Sequence, residues 1–455
     1  MAAVPVPLSD LLIAVPTVIL VSRAAAQFLR RAGQPPVVGE ILAGILLGPS
    51  LLGALWPEGQ AWLFGPSVIP YIDMLGNVGL LVFMFLVGLE LDLGALRGDR
   101  RTALAVSQAG TAVPLVLGAL LALGMYGPLA PDGTDRLSFV LFIGVALSIT
   151  AFPVLARILT DRGLYRSRVG ALAMASAAVG DVSAWCLLAA VVAIANSGSP
   201  FDAVTTALYA TAFACVLFYV VRPLLTRWTA RAERGHSDAV VLVVLFSGLC
   251  LSGYVTDLIG VHALFGAFLF GVVTPRGSRR TATAAIRLRA FAVPVLLPLF
   301  FVSTGLRTDV SLLGGGSALW LWAGAVLAVA GLGKWGGAAL AARLTGNGWR
   351  DAMSLGALMN CRGLTELVVL DIGLGLGIVG PDLFTVLVLM ALVTTAMTTP
   401  ALSLIRRRAD AADVPDGPDG PDGPDGPDGP DGPDGPGAPE AADAENPVLQ
   451  PAERR

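Results

Sequence analysis

Four ionisable residues stand deep inside long apolar stretches of this chain, namely Asp181, Lys334, Arg362 and Glu366. Placing a charged side chain at the centre of a membrane helix costs about 2.5–3.5 kcal/mol on insertion scales, so each is a candidate functional group. The carboxylate of such a residue can bind a proton, and its two oxygens can instead hold a dehydrated monovalent cation. The chemistry to look for is therefore exchange of protons or cations, or a buried ion pair.

Asp181 is the strongest of these candidates because it lies mid-stretch among small residues, in the run AAVGDVS at 177–183. Small residues let neighbouring helices approach closely, so the carboxylate either serves transport or binds an adjacent helix.

Lys334 is the single lysine in the chain, where every other basic side chain is arginine. Lysine loses its proton readily when it is buried, whereas arginine does not. Lys334 is either a titratable group or the counter-ion of Asp181, and both interpretations place it beside that carboxylate.

Arg362 and Glu366 are four residues apart, which puts them on one helical face where they can form an ion pair. This pair is either a structural ion pair or has a role in transport, and both interpretations stay open. Other ionisable residues stand nearer to the ends of apolar stretches, where a structural role is favoured: Glu40, Asp73, Glu90, Asp92, His262 and Asp371. Arg23 lies within the first apolar stretch, and the sequence assigns it no role.

Helix-breaking residues interrupt two of the apolar stretches. Pro153 follows Ser148 and Thr150, and Gly363 follows Asn360 and Arg362. Discontinuous helices in corresponding halves of a membrane protein are typical of ion sites, since their free backbone ends and nearby polar side chains face the ion. Ser148, Thr150 and Asn360 are the expected polar groups at these two breaks.

The composition identifies the class of protein that must position these groups. Of the 455 residues, 55% are hydrophobic and only 14% are charged, whereas soluble domains are usually about 25% charged. These values exclude a soluble enzyme, a disordered chain and a nucleic-acid binder. They predict an all-α polytopic membrane protein whose surroundings are a lipid bilayer.

A spanning helix needs about 20 mainly apolar residues. With this criterion the sequence predicts thirteen spans, at 8–29, 36–53, 70–91, 102–126, 137–160, 168–195, 203–228, 238–257, 259–274, 290–308, 317–343, 350–375 and 382–405. The two broken stretches are the fifth and the twelfth. Their odd offset in span number is what an inverted repeat requires.

The arginines support this count, because 23 basic residues fall in alternate loops and only Arg136 and Arg307 fall on the other side. Cytoplasmic loops are rich in Lys and Arg. We therefore predict a protein of the cell membrane with its N-terminus outside and its C-terminus in the cytoplasm.

Residues 409–455 differ from the rest, with ten Asp, three Glu, two Arg and seven Pro-Asp-Gly triplets from Pro415 to Gly435. This composition predicts a disordered acidic tail. No Gly-rich phosphate motif follows a strand, the four cysteines lack metal-like spacing, and two histidines cannot form a His-Glu-x-x-His motif. We expect no cofactor and no enzyme activity.

Five sequence motifs resemble those of the monovalent cation:proton antiporters, in the branch with Kef-type and plant cation/H+ exchangers. They cover residues 36 to about 400 in family order. The motifs are PVVGEILAG at 36–44 with Gly48-Pro49-Ser50, SITAFPVLAR at 148–157, VHALFGAF at 261–268, LPLFFVSTG at 297–305 and MNCRGLTEL at 359–367.

This resemblance implies a homodimer of thirteen-span protomers with inverted repeats and two discontinuous crossing helices. It divides the transmembrane region, 1–408, into a dimerisation part, mainly 1–92 and 238–308, and a core part, mainly 102–195 and 317–405. Asp181 and Thr150, with Ser148 nearby, would hold the monovalent cation or the proton. Lys334 would be the charge partner, and the supporting core residues would be Asn360, Arg362, Glu366 and Pro153.

The implied function is exchange of Na+ or K+ for H+ by alternating access, with both ions competing for Asp181. The family often has an acid or Asn before this aspartate, but here the residue is Gly180. A second carboxylate is thus missing, which favours electroneutral exchange. The nucleotide-binding domain of Kef-type systems is not expected. The alternatives are a K+ channel or uniporter without proton coupling, a membrane enzyme, and a scaffold.

Overall fold

The computed structural model describes residues 8–90, 99–165, 167–196, 200–235, 237–315 and 317–412. Within these ranges it contains helices and no strand. In chain order the α-helices are α1 Leu8–Arg31, α2 Pro36–Leu47, α3 Pro57–Leu63, α4 Ile69–Glu90, α5 Arg100–Leu129, α6 Arg136–Ser148, α7 Phe152–Asp161, α8 Arg168–Asn196, α9 Pro200–Val216, α10 Arg222–Gly235, α11 Asp238–Ile259, α12 Ala263–Val273, α13 Arg279–Phe291, α14 Leu297–Leu306, α15 Ser317–Leu344, α16 Trp349–Met359, α17 Leu364–Gly375 and α18 Pro381–Ala412.

The predicted all-α membrane architecture is confirmed. By length and composition, ten helical stretches among the described residues can cross a membrane, and α6 and α12 are shorter apolar helices. The 11 residues of α12 rise only about 16 Å at 1.5 Å per residue, against a hydrocarbon core of about 30 Å. The count of thirteen spans therefore stays a prediction.

Several helices continue through single π-helical turns. One such turn, Ala292–Leu296, joins α13 to α14, and another, Leu217–Val221, joins α9 to α10. The span predicted at 290–308 is thus the second half of a longer helical run that begins at Arg279. At the other end of the chain α18 continues to Ala412, beyond the predicted boundary at 408. The rest of the predicted tail, and Asp92, lie outside the described residues.

The helices pack in two groups. In one group α2 packs against α1 and α14, α4 against α12 and α14, and α11 against α12 and α13. In the other, α5 packs against α6, α8 and α15, while α16 packs against α15 and α8. All the elements that carry Thr150, Asp181, Lys334 and Arg362 belong to or adjoin the second group.

Glycine allows a close contact between α2 and α14 in the first group. A Cβ placed on Gly44 of α2 would lie 2.5 Å from the carbonyl oxygen of Val302, and one on Gly305 of α14 would lie 2.5 Å from Gly44 Cα. Both clashes are with backbone atoms, which cannot rotate away. The contact between α2 and α14 therefore depends on hydrogen as the only side chain at both positions.

We expect Gly44→Ala to destabilise the protein by about 1–3 kcal/mol, the usual cost of overpacking. Gly336→Ala on α15 is the matched control, because a Cβ there has nothing within 4 Å and alanine favours the helix. Thermal unfolding in detergent measures both. Equal midpoints for the two variants would contradict the close contact.

Candidate ion-binding site

The two broken stretches meet at their breaks. The first break, 149–151, separates α6 from α7, and the second, 360–363, separates α16 from α17. The backbone N–H of Ala151 donates to the carbonyl of Cys361 at 3.0 Å, and the hydroxyl of Thr150 donates to the carbonyl of Met359 at 3.1 Å. The prediction of two discontinuous, crossing helices is confirmed.

Proline and glycine produce these breaks as expected. Pro153 is the second residue of α7, where the missing N–H costs nothing because the first turn has no intrahelical acceptor. Gly363 has a φ of 153°, a conformation that favours glycine. A Cβ at Gly363 would also lie 2.9 Å from Cγ2 of Val154, so the two breaks approach closely only with glycine there.

Side chains from distant parts of the chain satisfy the carbonyl end of α6. A helix leaves its last four carbonyls without intrahelical donors. Arg362 donates to the carbonyls of Ala146 at 3.2 Å and Leu147 at 2.6 Å. Lys334 Nζ donates to the carbonyl of Ser148, whose own hydroxyl donates to the carbonyl three residues earlier at 2.8 Å. Two cations therefore face the negative end of this half-helix.

The predicted pair of Arg362 and Glu366 is present, with Nη1 and Oε1 3.0 Å apart and both side chains fully buried. Arg362 lies in the break rather than in α17, and its backbone N–H donates to the hydroxyl of Thr395 on α18 at 3.0 Å. Its guanidinium also donates to the carbonyl of Ala330 on α15 at 3.3 Å. This arginine connects α6, α15, α17 and α18, whereas the spacing alone predicts only an ion pair within one helix.

Asp181 lies on α8 and is only 3% exposed. Neither of its carboxyl oxygens has a hydrogen-bond partner among the described residues. The backbone N–H of Phe152, at the start of α7, lies close enough to interact with the carboxyl group. The positive end of a half-helix thus faces this carboxylate. Because its two oxygens lack hydrogen-bond partners among the described residues, both are available to an ion.

Lys334 does not form the direct ion pair with Asp181 that one interpretation predicts. The two charges are close enough to interact electrostatically, but neither carboxyl oxygen of Asp181 has a hydrogen-bond partner among the described residues. Nζ binds the carbonyls of Ser148 and, at 3.2 Å, of Gly110 on α5. The physical reason is that the carbonyl end of α6 offers Lys334 a nearer negative partner. Its role as charge partner of Asp181 stays a prediction.

The remaining predicted site residues also lie at the crossing. Ser148 precedes the first break and Thr150 lies within it, and both are at most 4% exposed. Asn360 begins the second break, and its Oδ1 has no hydrogen-bond partner among the residues that are described. Sequence reasoning missed the contributions of Gly110 and Thr395, because a lone glycine or threonine in an apolar helix gives no distinguishing signal.

The charges near span ends have mostly structural partners. Arg307, after α14, pairs with Asp73 on α4 and with Asp371 on α17, and Asp73 also accepts from the hydroxyl of Ser303. Glu90 pairs with an exposed arginine of α13. His262 is the N-cap of α12 and accepts from a backbone N–H at 3.4 Å. Exposed Arg23 lies near buried Glu40, with which it interacts electrostatically.

An all-helical membrane bundle has the architecture of an ion transporter when two broken helices cross beside a buried carboxylate that, among the described residues, has no hydrogen-bond partner. The sequence profile described as "Sodium/hydrogen exchanger, transmembrane" matches residues 17–405. The chain belongs to this sodium/hydrogen exchanger family.

Relatives and solved structures agree with this assignment. The chain is 38% identical over 386 residues to the Na(+)/H(+) antiporter NhaS4 of Synechocystis sp., covering 84% of this chain and 94% of that one. It is 39% identical to Cation/H(+) antiporter 20 of Arabidopsis thaliana (86% and 48% covered). It is also 35% identical to K(+)/H(+) antiporter 1 of Saccharomyces cerevisiae (82% and 43% covered). The chain thus spans about half the length of these plant and yeast relatives.

Among solved structures, the sodium proton antiporter MjNhaP1 from Methanocaldococcus jannaschii has a similar fold. The TM-score is 0.61 at 14% identity, and the match covers 88% of this chain and 99% of that one. At this identity the likeness concerns the fold alone.

Proposed function

We propose that this protein exchanges a monovalent cation for H+ at Asp181 by alternating access. The observation that carries the proposal is the buried carboxylate whose two oxygens lack partners among the described residues, next to the crossing of two broken helices. The relatives are named as Na+/H+, K+/H+ or cation/H+ antiporters, so Na+ and K+ are both candidate substrates. None of these names favours the channel or uniporter alternative.

Competition at one group would couple the two ions. Ionised Asp181 holds the cation, helped by the hydroxyl of Thr150 and by backbone oxygens exposed at the breaks. Protonated Asp181 has no negative charge with which to hold a cation, so the two states exclude each other. Lys334 and Arg362 neutralise the carbonyl end of α6, which keeps that end in place without adding an ion ligand.

The two helix groups provide the moving parts of this mechanism. We assign 102–195 and 317–405 to a mobile core that carries the crossing, and 1–92 with 238–308 to a dimerisation part. The separate packing of α2, α4 and α14 from α5, α8 and α15 supports this division. We further assign the protein to the cell membrane as a homodimer. Its C-terminus lies in the cytoplasm, an orientation that the one-sided placement of arginines supports.

The exchange is expected to be electroneutral, because Gly180 provides no second carboxylate beside Asp181. The test uses purified full-length protein in proteoliposomes that contain a pH-sensitive dye, with Na+, K+ and Li+ added in turn. We expect Na+ or K+ to drive proton movement at a rate that an imposed membrane potential does not change. If none of the three cations drives proton movement, antiport is contradicted. A rate that depends on the membrane potential contradicts only the electroneutral stoichiometry.

A further inference from the structure

One more buried hydroxyl lies next to the candidate site, on α5. Ser107 is 0% exposed, and its Oγ has no hydrogen-bond partner within the described ranges. Most buried side-chain polar atoms are hydrogen-bonded, so an unpaired one calls for an explanation such as a missing ligand. None of the contacts described above gives Ser107 a structural role.

Ser107 faces the glycine that precedes Asp181. A Cβ placed on Gly180 would lie 3.3 Å from Ser107 Oγ. The hydroxyl therefore borders the space that a longer residue at position 180 would fill. Because Gly180 and Asp181 are consecutive on α8, this places an oxygen from another helix, unpaired among the described residues, beside the residue that precedes the ion-binding carboxylate.

The same face of α5 also reaches the lysine of the site. Gly110 is three residues after Ser107, so the two lie on one helical face, and the carbonyl of Gly110 accepts from Lys334 Nζ at 3.2 Å. At the next residue, Nε2 of Gln108 donates to Oγ of Ser183 at 3.2 Å and joins α5 to α8. Ser107 thus lies on a face of α5 that approaches α8 at Gly180 and α15 at Lys334.

We propose that Ser107 Oγ is an oxygen ligand of the monovalent cation that Asp181 holds, and that it supplies the donor which Gly180 lacks. This inference rests on the proposed function. A hydroxyl is a neutral ligand: it replaces part of the hydration shell of Na+ or K+, as carbonyl oxygens do in selective pores, and adds no charge. The site can then bind a cation with one carboxylate and keep one-for-one exchange.

Ser107→Ala tests the proposal, since it removes one oxygen and hardly changes the volume. In proteoliposomes we expect the KM for Na+ or K+ to rise about tenfold, the effect of losing about 1.4 kcal/mol of binding, with Vmax preserved. The cation-induced increase in Tm in detergent, which requires no transport, should shrink in parallel. Ser176→Ala is the matched control: Ser176 is also 0% exposed and unpaired among the described residues, but it precedes Asp181 by five positions on α8.

A swap variant makes the test independent of a general loss of packing. In Ser107→Ala/Gly180→Ser the hydroxyl moves across the contact into the space vacated at Ser107, and we expect the KM to return towards the original value. An unchanged KM in Ser107→Ala, or a raised KM in the swap variant, would overturn the proposal. Exchange that survives in Asp181→Asn would instead overturn the proposed function, so the two failures are distinct.

Discussion

Asp181→Asn is expected to abolish cation-dependent proton movement in proteoliposomes. Asparagine has nearly the same shape as aspartate, but its amide neither ionises nor takes up a proton near neutral pH. A carrier that couples two ions through one carboxylate loses both half-reactions when this group is replaced.

The variant should fold normally, since Asp181 makes no hydrogen bond with the described residues that asparagine would break. A midpoint of thermal unfolding equal to or above that of the original chain is expected, because a buried charge has been removed. Asp382→Asn, at the exposed first turn of α18, is the control and should keep full exchange. Retained exchange in Asp181→Asn would refute the assignment of the ion-binding residue.

Arg362→Met is expected to produce the largest loss of stability among single substitutions at the crossing. It removes the donors to the carbonyls of Ala146 and Leu147 and leaves Glu366 as a buried carboxylate without its partner. Removing one member of a buried ion pair typically costs about 3–5 kcal/mol. Thermal unfolding in detergent, and the yield of folded dimer or monomer by size-exclusion chromatography, measure this effect.

The double variant Arg362→Met/Glu366→Met separates the two contributions. Since it leaves no unpaired buried carboxylate, we expect it to lose less stability than the sum of the single variants, with a coupling of about 0.5–3 kcal/mol. The loss of stability that remains in the double variant measures the cost of leaving the carbonyls at the end of α6 without these donors. Arg31→Met, at an exposed position, controls for the removal of an arginine. Strict additivity would show that the pair does not act as a unit.

Local pattern alone predicted the architecture and the identity of the buried charges. Apolar stretches of membrane length and the positions of Pro153 and Gly363 require no knowledge of distant contacts, because hydropathy and backbone dihedral limits act within a few residues. For the same reason the spacing of Arg362 and Glu366 correctly predicted a pair. The candidate site was findable because charge is so rare in this chain that each buried instance stands out.

The partner that each buried charge takes follows from contacts between helices that are distant in the chain. Arg362 contacts a carbonyl 216 positions away and Lys334 one that is 186 positions away. No periodicity links such residues, and the preference of Lys334 for the end of α6 over direct pairing with Asp181 follows from where two broken helices cross. The approach of Ser107 to Gly180 is likewise a contact between helices. Residue types and their spacing therefore indicate which groups are costly to bury. The packing of α5, α6, α8 and α15 determines what offsets that cost and which oxygens are available to an ion.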